Sequence, residues 1–278
     1  MSSLQERAES AEEAGDFESA FGLWSRLGSE TRDEAAFCRA GRAAQKLEKW
    51  AAAENAFKKA FALDPASADA MECLGSLFLN RTDGGSGANL LRAKEWLLGA
   101  LRIRRTATLL TFLGNTYVKL EELSAAKEAF SDAALLDPAY EEAYFNLALL
   151  AESQNPTEAR KLLEKAIELD SDYGEAHQRL GILVQREGHV LEAEYHFRRA
   201  LEINHEDYWS RLYLANALAV QGRAEEAERE YRAAISMRPT EGAAFVFFAN
   251  FLDALSRAQE AQEIRASKPP EGLSSSHQ

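Results

Sequence analysis

A small residue returns at a spacing of about 34 residues along almost the whole chain, and no other feature restricts the fold as strongly. The frame has repeats beginning at residues 34, 68, 107, 141, 174, 208 and 242, with a weaker one over 1–33. Position 8 then reads Ala8, Gly41, Gly75, Gly114, Ala148, Gly181, Ala215 and Ala249. Position 20 reads Ala20, Ala53, Ala93, Ala126, Ala159, Ala193, Ala227 and Ala261, with small length changes in two turns. Position 27 is alanine from Ala60 to Ala234 and leucine at Leu27. Position 24 is large: Trp24, Phe57, Leu97, Phe130, Leu163, Phe197 and Tyr231. Pro65, Pro138 and Pro239 share position 32.

Two helices approach closely only where one offers a small side chain to the other. Positions 8, 20 and 27 are therefore contact points between a first helix A and a second helix B. Positions 4, 7, 11 and 24 supply the bulk between them. Proline at 32 cannot continue helix B and ends it. One such pair cannot bury its own faces, so neighbouring pairs must stack. With 6 prolines and 16 glycines in 278 residues, the chain reads as all-α.

The pattern resembles the tetratricopeptide repeat family. Repeat 107–140 carries it most fully, with Leu110, Leu113-Gly114, Tyr117, Ala126, Phe130, Ala133 and Pro138. The resemblance implies a right-handed superhelical solenoid of about eight helix pairs, with helix A of each repeat lining a concave groove. Residues 1–33 read as a capping repeat, since Arg7 takes an apolar place and eight acids outnumber three bases. Six repeats follow, at 34–67, 68–106, 107–140, 141–173, 174–207 and 208–241. Repeat 68–106 carries an insertion read as a flexible turn over 81–88. Repeat 242–267 is truncated, with Arg265 in the place of the large residue, and 268–278 read as a disordered tail.

Composition then narrows the chemistry. The formal charge of −13 opposes nucleic-acid binding through the overall field, and it weighs against a pentatricopeptide RNA reader. No leader-like or membrane-spanning stretch occurs, and two cysteines cannot make a disulfide framework, so a cytoplasmic protein without membrane insertion is expected. The turn 81–88 lacks the Gly-Lys-Ser/Thr ending of a phosphate loop. The five histidines have no metal-ligand spacing, and His177 falls on core position 4. Glu12-Glu13 and Glu225-Glu226 read as solvated faces. No catalysis, cofactor or metal is expected.

The helix A stripe not consumed by the core comprises positions 2, 5, 6, 9, 12 and 13. It offers Cys38, Arg39 and Arg42, then Phe112, Asn115 and Lys119, then Phe145 and Asn146. Further along come Arg179 and Arg186, Trp209, Tyr213 and Asn216, and finally Phe247 and Asn250. Asparagine both donates to and accepts from a peptide backbone, and exposed aromatics give contact area at low entropy cost. Some tetratricopeptide co-chaperones hold a C-terminal carboxylate with five polar residues of this stripe. Asn115, Asn146 and Arg179 match three of those places, while Thr111 and Glu175 stand where lysine is required. The resemblance thus implies a non-catalytic adaptor or chaperone-like scaffold binding a protein or peptide segment in the groove. The alternatives are self-assembly through the apolar helix 243–254, which lacks a full helix B to cover it, and a regulatory subunit of a separate enzyme. Cys38 and Cys73 are expected to face the groove, open to thiol reagents.

Overall fold

A computed structural model describes residues 3–81 and 86–269. Among them are sixteen α-helices and no strand. The chain divides into two compact units, Met1–Ala143 and Tyr144–Gln278. The N-terminal unit holds the pairs α1 (Leu4–Glu13) with α2 (Phe17–Thr31), α3 (Glu34–Lys46) with α4 (Trp50–Leu63), α5 (Ala68–Asn80) with α6 (Ser86–Ile103), and α7 (Ala107–Lys119) with α8 (Leu123–Leu136). Helix α9 (Glu141–Ala151) begins there and runs into the C-terminal unit. That unit continues with α10 (Pro156–Leu169) and the pairs α11 (Gly174–Arg186) with α12 (Val190–Ile203), α13 (Tyr208–Val220) with α14 (Ala224–Met237), and α15 (Gly242–Ala254) with α16 (Ala258–Ala266).

The pairs α3–α4, α7–α8 and α11–α12 close where a glycine of helix A meets the large residue of helix B. A Cβ on Gly41 would lie 2.2 Å from Phe57, one on Gly114 2.4 Å from Phe130, and one on Gly181 2.6 Å from Phe197. Those rings are fully buried. The alanines of positions 20 and 27 are buried too, as at Ala53, Ala60, Ala126 and Ala133. Small residues set the spacing and aromatic bulk fills it.

The turn between the two helices repeats as well. Position 15 has a left-handed backbone at Gly15, Glu48, Glu121, Gly188, Gly222 and Ser256. The next residue's N–H closes back on the carbonyl of position 11, as in Lys49 to Ala44 and Glu122 to Tyr117, both at 2.9 Å. This is a Schellman-type ending, and it reverses the chain in a few residues. Neighbouring repeats are further tied by ion pairs on the helix B side: Lys49 to Glu18 at 2.5 Å, Lys94 to Glu122 at 2.7 Å, Arg223 to Glu194 at 2.7 Å and Arg257 to Glu228 at 2.6 Å.

Three expectations need correction or limits. Ser86, Gly87 and Ala88 belong to α6 and not to the turn, because Asn89 and Leu90 just after them are buried. The rest of that turn, 82–85, lies outside the described residues, as does the tail from 270 onward. The second helix of the last repeat, α16, is short at 9 residues, yet it packs on α15 through buried Ala261, with Ile264 on the same core. Its other face is polar, with Gln259, Glu260, Gln262 and Glu263 exposed.

Candidate functional site

The stripe expected to face a partner is narrower than its spacing suggests. In three repeats position 5 turns into the contact between successive first helices, while Phe145 and Gln178 at the same position are half-buried. Cys38 is 4% exposed, Thr111 is fully buried and Leu212 is fully buried. Val246 at the same position of the last repeat is 41% exposed. The cysteines are therefore not open to the surface: Cys73, at position 6, is only 2% exposed. The side-by-side packing of α3 and α5 covers both.

In the N-terminal unit, Arg39 lies 3.4 Å from Glu12 and 3.7 Å from Glu9, with its guanidinium 4.6 Å above the Trp24 ring. Arg42 is exposed beside the Cys73 thiol, which, with the Cys38 and Glu72 groups, holds it more firmly protonated. Lys119 donates to the carbonyl of Leu79 at 3.0 Å, capping the last turn of α5. Phe112 is half-buried against the hydrophobic core, and Asn115 is half-buried.

In the C-terminal unit, Phe145 tilts on Tyr173 with centroids 5.0 Å apart, and Asn146 beside it is half-buried. Arg186 and Arg179 share one carboxylate, Glu152, at 2.9 and 4.0 Å. Gln178 reaches the N-terminal turn of α13, donating to Asp207 at 2.8 Å and Ser210 at 3.2 Å. Asp207 caps that helix by accepting from the backbone N–H of Trp209 and Ser210. The cap fixes Trp209, which stays 40% exposed. Its ring stacks on Tyr213 at 6.2 Å, and Tyr213 stacks on buried Phe197 at 5.7 Å. Asn216 is half-buried one turn further along. On α15, Phe247 is half-buried against the core, while exposed Asn250 accepts from Arg265 at 3.3 Å. Arg265 also pairs with Asp253.

The fold thus brings Trp209 and Tyr213 together, and gives Arg179 and Arg186 a common anion. Asn115 belongs to one unit, Asn146 and Arg179 to the other. The spacing rules do not reveal Glu152, nor the pairing of His177 with His196. Those imidazoles are both buried, with Nδ1 atoms 2.9 Å apart. Burial first, and His177 second, push the His196 imidazole down to about 4. His177 is lowered by burial. Among the described residues no cluster of three or more acidic, histidine or cysteine side chains suits a metal ion, and no helix is long and apolar enough to cross a membrane.

The tetratricopeptide repeat family model matches residues 38–103 and 113–173. No curated protein sequence matches the chain. Among solved structures, the anaphase-promoting complex Cut9–Hcn1 hetero-tetramer is similar with a TM-score of 0.72 at 16% identity, over 88% of this chain and 48% of that one. This chain therefore spans about half the length of that relative. Pseudomonas aeruginosa pilF gives 0.67 at 19% identity, over 80% and 97% of the two chains. The C-terminal part of a tetratricopeptide repeat-containing protein from Cytophaga hutchinsonii gives 0.59 at 17%, over 85% and 96%. At these identities the likeness is one of fold.

Proposed function

This chain belongs to the tetratricopeptide repeat family over residues 38–103 and 113–173, and from that premise we propose that it is a scaffold binding a polypeptide segment along its first helices. The family generally mediates protein–protein interaction and is generally non-catalytic. The Trp209–Tyr213 stack carries this reading. A rigid indole with two-fifths of its surface open sits on half-buried Tyr213, which itself stacks on buried Phe197. Aromatic anchors of this kind contribute a large share of interface energy, because little side-chain entropy is lost on contact. Asn216 on the same helix, and Asn146 and Arg179 in the same unit, supply polar groups for a backbone or an acidic side chain. The covering of α15 by α16 weighs against residues 243–254 as a self-association surface.

The test is calorimetry against a partner recovered by affinity capture. Trp209→Ala should cost about 1–3 kcal/mol of binding, and Asn146→Ala and Arg179→Ala about 1 kcal/mol or more. Leu191→Ala on α12, exposed on the helix B side, should change binding by less than about 0.5 kcal/mol. Weaker binding by the Leu191 variant, with Trp209→Ala behaving as wild type, would move recognition to the second helices.

A further inference from the structure

Cys38 and Cys73 come from the first helices of consecutive repeats, where α3 and α5 pack side by side. Both are free thiols in one hydrophobic cluster with Phe37, Leu74 and Leu77. They are close enough for each to govern the other's ionisation. Their polar neighbours differ in sign. Cys38 Sγ donates to Glu34 Oε1 at 3.3 Å, and the same oxygen accepts from Ser67 Oγ at 2.7 Å. Arg42, an exposed residue one turn beyond Cys38 on α3, acts electrostatically on the Cys73 thiol. A pair of small apolar fillers would need neither a carboxylate on one sulfur nor a guanidinium on the other.

We propose that Cys38 and Cys73 form a dithiol that hydrogen peroxide oxidises to a disulfide, stapling two consecutive repeats. Cys73 is the attacking sulfur. Cys38 and Arg42 draw its thiol below the usual cysteine range, against the opposing effect of burial. Cys38 is the resolving sulfur. Cys73, burial and Glu34 hold its thiol above that range, so it stays protonated until a base removes the proton. Peroxide is the fitting oxidant because it is scarcely larger than water, and the pair is nearly closed to solvent.

The Cys73 thiolate attacks one peroxide oxygen. The S–O bond forms, the O–O bond breaks, and the departing hydroxide takes a proton from solvent to become water. Glu34 then removes the Cys38 proton. The Cys38 sulfur attacks the Cys73 sulfur, the S–S bond forms, the S–O bond breaks, and the second hydroxide leaves as water with the proton held by Glu34. Two thiols and one peroxide give one disulfide and two waters. The sulfurs together lose two electrons, and the peroxide oxygens gain them.

The test treats the full chain with hydrogen peroxide and maps peptides without reduction. The expected product is an intramolecular 38–73 disulfide, reversed by a thiol reductant, with Tm raised by roughly 5 °C or more through the closed loop. Cys38→Ser should accumulate a sulfenic acid at Cys73, trapped by dimedone, while Cys73→Ser reacts at least about tenfold more slowly. Arg42→Ala should slow the first step several-fold, because the guanidinium favours the Cys73 thiolate. Glu34→Gln should leave the first step unchanged and slow disulfide closure. Absence of the 38–73 linkage at doses that oxidise a free small-molecule thiol would overturn the proposal, as would a linkage formed only between molecules. Equal reactivity of the two serine variants would overturn the assignment of roles. Wild-type peptide mapping decides the central point even if a variant misfolds.

Discussion

Gly114→Ala sets two physical effects of opposite sign against each other. In a helix interior, alanine is favoured over glycine by about 1 kcal/mol. Position 114 is mid-helix in α7, so propensity alone makes the change stabilising. The added Cβ, however, would lie 2.4 Å from Phe130 Cε1 and 2.7 Å from Cδ1. Ordinary carbon contacts lie at about 3.5–4.0 Å. Helices α7 and α8 must therefore separate by roughly an ångström, or the ring must leave its rotamer. Phe130 is 1% exposed, so there is no open side to turn into. Overpacking of this kind costs about 1–3 kcal/mol and sometimes more. The upper part of that range applies to a contact this short against a closed ring, so the net effect should be a loss of about 1–2 kcal/mol. The assay is urea unfolding followed by far-UV circular dichroism. The second arm is Gly114→Ala with Phe130→Leu, which copies the solution of repeat 141–173, where Ala148 stands with Leu163. The double variant should be more stable than the sum of its singles by about 1 kcal/mol or more. A stabilised Gly114→Ala protein, or strict additivity, would refute the claim that position 8 sets the helix spacing.

Other consequences can be checked on the same protein. Glu121 holds a left-handed backbone at φ 62°, so Glu121→Gly should raise stability by about 0.5–1 kcal/mol in urea, and Gly222→Ala should lower it by about 1 kcal/mol. His196 ionises near its ordinary 6.5 in the unfolded chain and only at about 4 in the fold, so the unfolded chain binds the extra proton between those values. Stability should be full above pH 6.5 and fall by up to roughly 3 kcal/mol as pH drops towards 4. Much of this pH dependence should vanish in His196→Leu, as measured by unfolding at stepped pH. Phe247 is half-buried on the C-terminal core, so Phe247→Ala should cost about 2 kcal/mol and speed hydrogen exchange in α15 and α16. Unchanged exchange, with weakened association, would make that ring a docking group.

Much of the architecture was legible in residue types at fixed spacing. Gly41 opposite Phe57, Gly114 opposite Phe130 and Gly181 opposite Phe197 can be paired on paper, because a repeat presents the same local problem each time and solves it with the same residues. The left-handed position 15 was half-legible: glycine marks it at 15, 188 and 222, but glutamate or serine stands at 48, 121 and 256, where the Schellman hydrogen bonds hold the backbone without that cue. The face offered to a partner was less legible. Helical spacing tells which residues point away from the partner helix of the same repeat. It does not tell which ones the next repeat covers. Cys38 and Thr111 are buried at a position where Phe145 and Gln178 are half-buried and Val246 is open. The same limit applies to charge. Arg179 and Arg186 read as free cations until the fold sets Glu152 between them, and Lys119 until Leu79 offers its carbonyl. His177 and His196 are unremarkable 19 residues apart in sequence and become one hydrogen-bonded, proton-resisting pair once α11 and α12 close. Residue order was enough to set the helix pairs, their small-to-large contacts and their stacking, because these depend on residues within one period. Burial at position 5, the partners of the charged side chains and the two buried titratable pairs arise only in the folded chain, because each depends on side chains brought together from separate helices.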